Sequence, residues 1–422
     1  MSYALMTDRY ELTMLQAALR SGKAERECVF EVFTRQLPAG RRYGVLAGVG
    51  RVLEAIQEFT FDDSELGFLA AQGVVDEKTL DWLANYRFSG SISGYREGEI
   101  YFANSPVMTV RGSFAEAVLL ETVILSILNY DSAVAAAASR MHTAAGGRSL
   151  AEMGARRAHE SAAVAAARAA FIAGFDATSN LEAGRSWGIP TMGTSAHSFT
   201  LLHDSEKEAF EAQIASMGPD TTLLVDTYDI PRAVMMAVEL TGGKVAAVRI
   251  DSGDLSSTAV EVRKQLDELG AKNTKIVVTS DLDEYTIAAL SASPVDRFGV
   301  GTSLVTGSGY PTAGFVYKLV AHSDGKGWTE VAKTSKSKTN RGGEKNASRL
   351  IEDGVATAEL IGGDQGRVLQ VELMRQGQAK ESHLGHQGVI AAKEHHLAAK
   401  AELPKSALRL SKGDPAIPTI FS

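Results

Sequence analysis

Between residues 222 and 300 the chain repeats one unit: a short β-branched run, a cluster of polar residues, then a segment of helical spacing. The runs at 222–226, 245–250, 275–279 and 297–300 read as strands, and 231–240, 258–269 and 284–290 read as helices. Consecutive strands joined by helices must lie parallel, because a crossover helix returns the chain to the same end of the sheet. At this strand count a closed barrel is the natural solution. The fold class expected is therefore α/β, an irregular parallel α/β barrel.

The flanking sequence has a different texture. Residues 1–130 mix helical spacing (10–19, 52–59, 76–85 and 114–127) with a two-strand patch at 90–110. Residues 322–422 are Gly- and Lys-rich at first, and a run at 367–374 reads as a strand able to rejoin the N-terminal segment. Together, 1–130 and 322–422 are expected to form one split α+β domain around a barrel at 131–321. That barrel begins with two alanine-rich segments, 132–145 and 158–172, which read as tightly packed helices.

Composition narrows the function classes. A net charge of −8 argues against a surface built to coat nucleic acid. The lone Cys28 cannot form an internal disulfide, as befits a reducing cytosol. Charged residues at Asp8, Arg9 and Glu11 interrupt any signal-peptide pattern, and no apolar run is read as a membrane span. A soluble cytoplasmic enzyme is expected, with neither nucleic acid nor membrane as partner.

In parallel βα folds the reacting groups gather at the carboxyl ends of the strands. Here those ends are unusually polar: 176–180, 193–197, 226–229, 249–254, 280–283 and 299–303. Asp229, Asp254 and Asp283 sit where helix N-caps belong. Asp226, Asp251 and Asp281 come earlier, at the strand tips, where capping does not explain them. Gly299-Val300-Gly301-Thr302-Ser303 has the make-up of a phosphate cradle, with glycines allowing close approach and Thr302 adding a hydroxyl. Arg249 and Asp251 alternate onto one strand face, either as a structural ion pair or as ligands for an acidic group and a sugar diol. His197, set among small residues, is accessible, and a neutral imidazole can carry a phosphoryl group. Arg156-Arg157 forms a second basic pair. The late histidines His383, His386, His395 and His396 lack the cysteine or carboxylate framework of a metal site. The basic stretch 333–349 is assigned no role.

Taken together, several segments resemble the nicotinate phosphoribosyltransferases. They are Thr7-Asp8-Arg9-Tyr10-Glu11-Leu12-Thr13-Met14, Glu152-Met153-Gly154-Ala155-Arg156-Arg157-Ala158 and Gly174-Phe175-Asp176-Ala177-Thr178-Ser179-Asn180. Gly193 to His197, Val248-Arg249-Ile250-Asp251-Ser252-Gly253-Asp254-Leu255 and Gly299 to Ser303 complete the set, in the family's order over nearly the whole chain. The resemblance implies transfer of phosphoribosyl from phosphoribosyl pyrophosphate (PRPP) to nicotinate, coupled to ATP hydrolysis. It implies His197 as a transient phosphohistidine and Mg²⁺ accompanying PRPP and ATP. Nicotinate would meet Tyr10, Thr194, Arg249, Ser179 and Arg157, with Tyr10 supplied by the neighbouring subunit of a homodimer. Gly299, Gly301 and Thr302 would take the phosphoribosyl group, and Asp251 and Asp281 the ribose. Met153, where the family often has Phe, reads as a core substitution. Ser179 stands where nicotinamide-specific relatives carry an acidic residue, which favours the acid over the amide. Two other classes remain in view. A non-catalytic phosphosugar-binding barrel would not need His197, Arg249 and Tyr10 together, and a barrel lyase or isomerase would want a lysine at a strand tip.

Overall fold

The computed structural model describes residues 3–335, 338–363 and 365–422; residues 336 and 337 of the basic stretch 333–349 lie outside that set. The chain forms two compact units, one from residues 1–136 and 310–422, the other from 137–309.

The continuous unit is built on a six-stranded parallel sheet. Its strands in chain order are β1 (Ser149–Glu152), β2 (Ala177–Thr178), β3 (Thr222–Leu224), β4 (Ala247–Ile250), β5 (Lys275–Val278) and β6 (Arg297–Val300), and their order in space is β2-β1-β6-β5-β4-β3. Hydrophobic β-branched residues fill β4 and β5, where Val248, Ile250, Ile276 and Val278 are fully buried. The interstrand helices start where the sequence places caps: Asp229 accepts from the Arg232 amide, Asp254 from Ser256 and Ser257, and Asp283 from Tyr285 and Thr286. Pro231 occupies the first turn of Ile230–Leu240, where no amide donor is missed. The alanine-rich helix Glu160–Ile172 buries most of its alanines.

The sheet is a half-barrel, not the closed barrel expected. Among the described residues, it gains only one bridge beyond β2, Thr178 to Thr191, and β3 pairs with β4 alone. The segment that would close the ring contains Pro190, which has no amide to donate, and β2 is only two residues long.

The split unit is mainly antiparallel, its one parallel pair among the described residues being Val355–Ile361 with Thr419–Phe421. Its seven-stranded sheet runs Trp328–Glu330, Phe315–Ser323, Glu27–Thr34, Met108–Ser113, Ser91–Tyr95, Gln370–Arg375, Gln378–Ala379. The tail strand Gln370–Arg375 does rejoin the N-terminal segment, pairing with Ser91–Tyr95. A four-stranded sheet adds Arg367–Val368, Ala347–Glu352, Val355–Ile361 and Thr419–Phe421. His395 Nε2 lies 2.8 Å from Glu99 Oε2, and His396 Nδ1 lies 3.0 Å from the Gly98 carbonyl, so both histidines bond within this unit.

One helix departs from the sequence reading. Glu121–Ala145 is continuous over 25 residues, where two helices were expected. Polar residues at the expected gap between 127 and 132 are buried partners: Asp131 accepts from Arg51 Nη1 at 2.7 Å, and Ser132 Oγ accepts from the Ala47 amide at 3.1 Å. This helix also meets the length and hydropathy of a membrane span, although none was read from the sequence. Its apolar window is 67% buried in protein, as a core helix is.

Candidate active site

The tips of the half-barrel strands converge on a cavity of about 220 Å³. Arg157, Arg249, Asp251, Asp281, Gly299, Gly301 and Thr302, all expected from sequence, line it. Four residues not assigned there, Met153, Arg156, Thr279 and Ser280, line it as well.

Arg249 is the hub. It leaves β4 with its side chain only 15% exposed and reaches in three directions. Nη1 donates to Thr194 Oγ1 at 2.7 Å and to the Ser195 carbonyl at 3.2 Å, and Nε donates to Thr279 Oγ1 at 3.2 Å. Nη2 stands 3.6 Å from Asp251 Oδ1, which also accepts from the Thr279 hydroxyl. The alternation of one strand thus sets a guanidinium and a carboxylate side by side, both anchored and both still facing open space.

Asp226, at the end of β3, is almost completely buried. Its Oδ2 accepts from the Asp251 amide at 2.9 Å and from Ser252 Oγ at 2.6 Å. Its Oδ1 has no hydrogen-bond partner among the described residues. A buried carboxylate oxygen without a partner is costly, and a group that donated to it or coordinated it would offset that cost.

His197 opens the helix His197–Leu202 with its side chain 38% exposed. Nδ1 lies 3.1 Å from Thr227 Oγ1, and Nε2 lies 3.9 Å from both Asp226 Oδ1 and Asp251 Oδ2. The seam that main-chain pairing leaves open between Thr191 and β3 is therefore crossed by side chains: His197 to Thr227, and Arg249 to Thr194.

The phosphate-type loop follows β6. A Cβ added at Gly299 would fall 2.6 Å from Thr279 Cγ2 and 2.7 Å from Met153 Sδ, so only glycine fits. Ser280 adopts φ +125°, a left-handed conformation rare for a residue with a side chain. Strain of this kind collects at functional sites, and here it sits beside Asp281.

Several expected residues lie off the cavity. Thr194 spends its hydroxyl on Arg249, and His197 reaches the cavity wall through Asp251, 3.9 Å from its Nε2. Ser179 donates its amide to the Glu152 carbonyl at 2.8 Å at the tip of β2. Tyr10 belongs to the split unit, where it is 44% exposed. Glu152, unassigned in sequence, takes the Thr178 hydroxyl at 2.5 Å and the Gly154 amide, tying β1 to β2, and burial pushes its carboxyl above the ordinary value. Met153, read as a core residue, is half-buried in the cavity wall. Its place directly after a strand tip could have signalled this, since Asp251, Thr279 and Gly301, which follow the tips of β4, β5 and β6, line the cavity too.

Two family models match the chain: the nicotinate phosphoribosyltransferase N-terminal domain over residues 5–129 and the nicotinate phosphoribosyltransferase family over 148–360. Nicotinate phosphoribosyltransferase pncB1 of Mycobacterium tuberculosis is 52% identical over 432 residues, 98% of this chain and 94% of its own length. The enzyme of Bacillus subtilis is 39% identical over 83% of this chain and 74% of its own length. In fold, the crystal structure of human nicotinic acid phosphoribosyltransferase matches with TM-score 0.84 at 24% identity, covering 99% of this chain and 97% of that one. With the family models covering most of its length and a relative of this identity end to end, the chain belongs to the nicotinate phosphoribosyltransferase family.

Proposed function

We propose that this protein transfers phosphoribosyl from PRPP to nicotinate, giving nicotinate mononucleotide and pyrophosphate, and that ATP drives the reaction through a phosphohistidine at His197. The observation that carries this reading is a single cluster: a guanidinium (Arg249) and two tip carboxylates (Asp226, Asp251) tied through the contacts above, with an accessible imidazole (His197) whose Nε2 stands 3.9 Å from both carboxylates.

Displacement at the ribose C1 breaks the bond to pyrophosphate and leaves a cation-like sugar, so catalysis is positioning and electrostatics. Asp251 and Asp281 supply negative charge on the cavity wall beside such a sugar. The pyridine nitrogen of nicotinate is already unprotonated at neutral pH and needs no base. Its carboxylate pairs with Arg249, whose planar fork suits two oxygens better than a lysine would. Gly299, Gly301 and Thr302 cradle the 5′-phosphate, and the exposed Arg156 and Arg157 add positive charge at the mouth.

In the tautomer where Nδ1–H donates to Thr227 Oγ1, Nε2 holds the lone pair that attacks the γ-phosphorus of ATP. ADP leaves as the N–P bond forms. The carboxylates facing Nε2 would repel a phosphoryl group on their own. The unpartnered Oδ1 of Asp226, with Asp251, is the hard oxygen donor set that Mg²⁺ prefers, and the ion would neutralise that repulsion. Tyr10, exposed on the helix Arg9–Ser21, is available to a neighbouring copy, which supports a homodimer that shares its sites.

The test is a product assay with labelled nicotinate and nicotinamide, with and without ATP. Nicotinate mononucleotide formed faster with ATP is the expected result, and no ribosylation of either base overturns the reading. His197→Ala should keep slow ATP-independent transfer and lose ATP stimulation; stimulation retained removes His197 from the carrier role.

A further inference from the structure

Met153 is the only residue with an apolar side chain among the described residues lining the cavity; the rest of the wall is guanidinium, carboxylate, hydroxyl and glycine backbone. The thioether is half-buried in the wall, so a small oxidant that enters the cavity reaches it. Its back is closed. A Cβ on Gly299 would fall 2.7 Å from Sδ and 3.0 Å from Cε, which means that the sulfur and its methyl lie hard against the β6 backbone. An atom added to sulfur has no room on the strand side and must project into the cavity.

We propose that Met153 is an oxidation site that switches the enzyme off: conversion of its thioether to the sulfoxide places an oxygen in the substrate cavity and blocks ligand binding there. This rests on the transferase reading for its activity readout. The reaction balances with a peroxide as oxidant. The peroxide O–O bond breaks, one oxygen bonds to Sδ, sulfur loses two electrons, and water leaves. The product is polar where the thioether was apolar, and it can no longer present a polarizable surface to a flat heteroaromatic ring. The sulfoxide oxygen is also a strong acceptor beside three guanidiniums, those of Arg156, Arg157 and Arg249. An arginine that turns to it is lost to the acidic groups of the substrates.

The exposed methionines Met6, Met217 and Met235 oxidise readily but lie away from this cavity, and serve as internal controls for dose. The experiment treats the purified protein with graded hydrogen peroxide. It follows the gain of about 16 Da on each methionine peptide alongside transferase activity and PRPP binding by calorimetry. We expect activity and PRPP affinity each to fall at least tenfold in step with the Met153 peptide, not with the peptides of Met6, Met217 or Met235. Methionine sulfoxide reductases should restore both. Met153→Leu should keep most of its own starting activity at a dose that silences the native protein. Met153→Gln, polar and of similar length, should show the oxidised behaviour without peroxide. Inactivation of Met153→Leu at the native rate, or full activity in protein whose Met153 is sulfoxide, overturns the proposal. If untreated protein makes no nicotinate mononucleotide, the transferase reading fails by itself. The calorimetric arm then decides the oxidation site: loss of PRPP binding with Met153 oxidation sustains it, and unchanged binding ends it.

Discussion

Each unit gathers charge at one place, and the two do so to opposite ends. In the split unit Arg349 is fully buried between Glu99, at 2.7 Å, and Glu359, at 2.6 Å. Arg367 links Glu99 to Glu402, and Tyr95 donates to Glu359 at 2.8 Å. Burial alone would raise the Glu99 carboxyl, but His395, Arg349 and Arg367 outweigh it and hold it well below the usual carboxylate range. In the half-barrel unit Asp226 is just as buried, yet one oxygen has no partner, and Arg249 and Asp251 share an edge with open space. Buried charges matched to each other are structural. Among the described residues Arg349 and Arg367 each keep an unpartnered Nε, but every carboxylate of that cluster has a cation; Asp226 Oδ1 has none within hydrogen-bond reach and stands next to Asp251 of the cavity wall.

That contrast is testable at four strengths. Arg349→Met should cost most, because it leaves the buried Glu359 without its cation and takes one of three basic partners from Glu99; we expect a loss of about 3–5 kcal/mol in unfolding free energy, read by denaturant melts. A loss below about 1 kcal/mol would mean that the cluster is not what holds the split unit. Arg249→Lys should do the reverse, lowering kcat/KM for nicotinate roughly 100-fold, or about 3 kcal/mol, while leaving thermal stability nearly unchanged. Equal losses in stability and activity would erase the distinction between the two clusters.

Glu11 tests the intermediate case, a buried carboxylate held by hydroxyls without a cation. Burial pushes it up to about 7, against the hydrogen bonds from Thr122 and Thr7. A folded pKa above the unfolded one gives stability that is complete below the unfolded value and is lost as pH rises through 7. Glu11→Gln should therefore gain on the native protein by roughly 2–3 kcal/mol between pH 4 and pH 8. A pH-independent difference would show that folding leaves the Glu11 carboxyl at its ordinary value. The smallest effect is expected at Asp229, whose side chain only caps the helix Ile230–Leu240. Asp229→Ala should cost about 1 kcal/mol and leave turnover alone, as measured by melts and initial rates.

Much of the half-barrel unit is legible in its sequence because each repeat carries its own punctuation. An aspartate ends the strand and a second, two or three residues on, starts the helix, so Asp226 and Asp229, or Asp251 and Asp254, separate by position alone. Other features resist such reading. Alternation along β1 tells which face Met153 takes, but not that this face becomes cavity wall one residue past the strand. Strand count suggests closure, while Pro190 and the two-residue β2 prevent it. The stretch between 127 and 132 does not show that Asp131 and Ser132 are buried, because their partners, Arg51 and Ala47, lie some eighty residues away in sequence. Arg349 looks like part of a basic surface loop, and only tertiary pairing reveals it as the most buried cation in the chain's core.

The order of the two units along the chain bears on how the protein is made. Residues 137–309 are contiguous and can complete their sheet as soon as they are synthesised. The split unit cannot: Glu27–Thr34 waits for Phe315–Ser323, Ser91–Tyr95 for Gln370–Arg375, and Val355–Ile361 for Thr419–Phe421 at the far end. Until then strands with bare edges, among them the largely apolar Glu27–Thr34, stay open to the wrong neighbours. The contiguous unit is thus free to fold first on the ribosome, while the split unit spends longer with its edges exposed to aggregation.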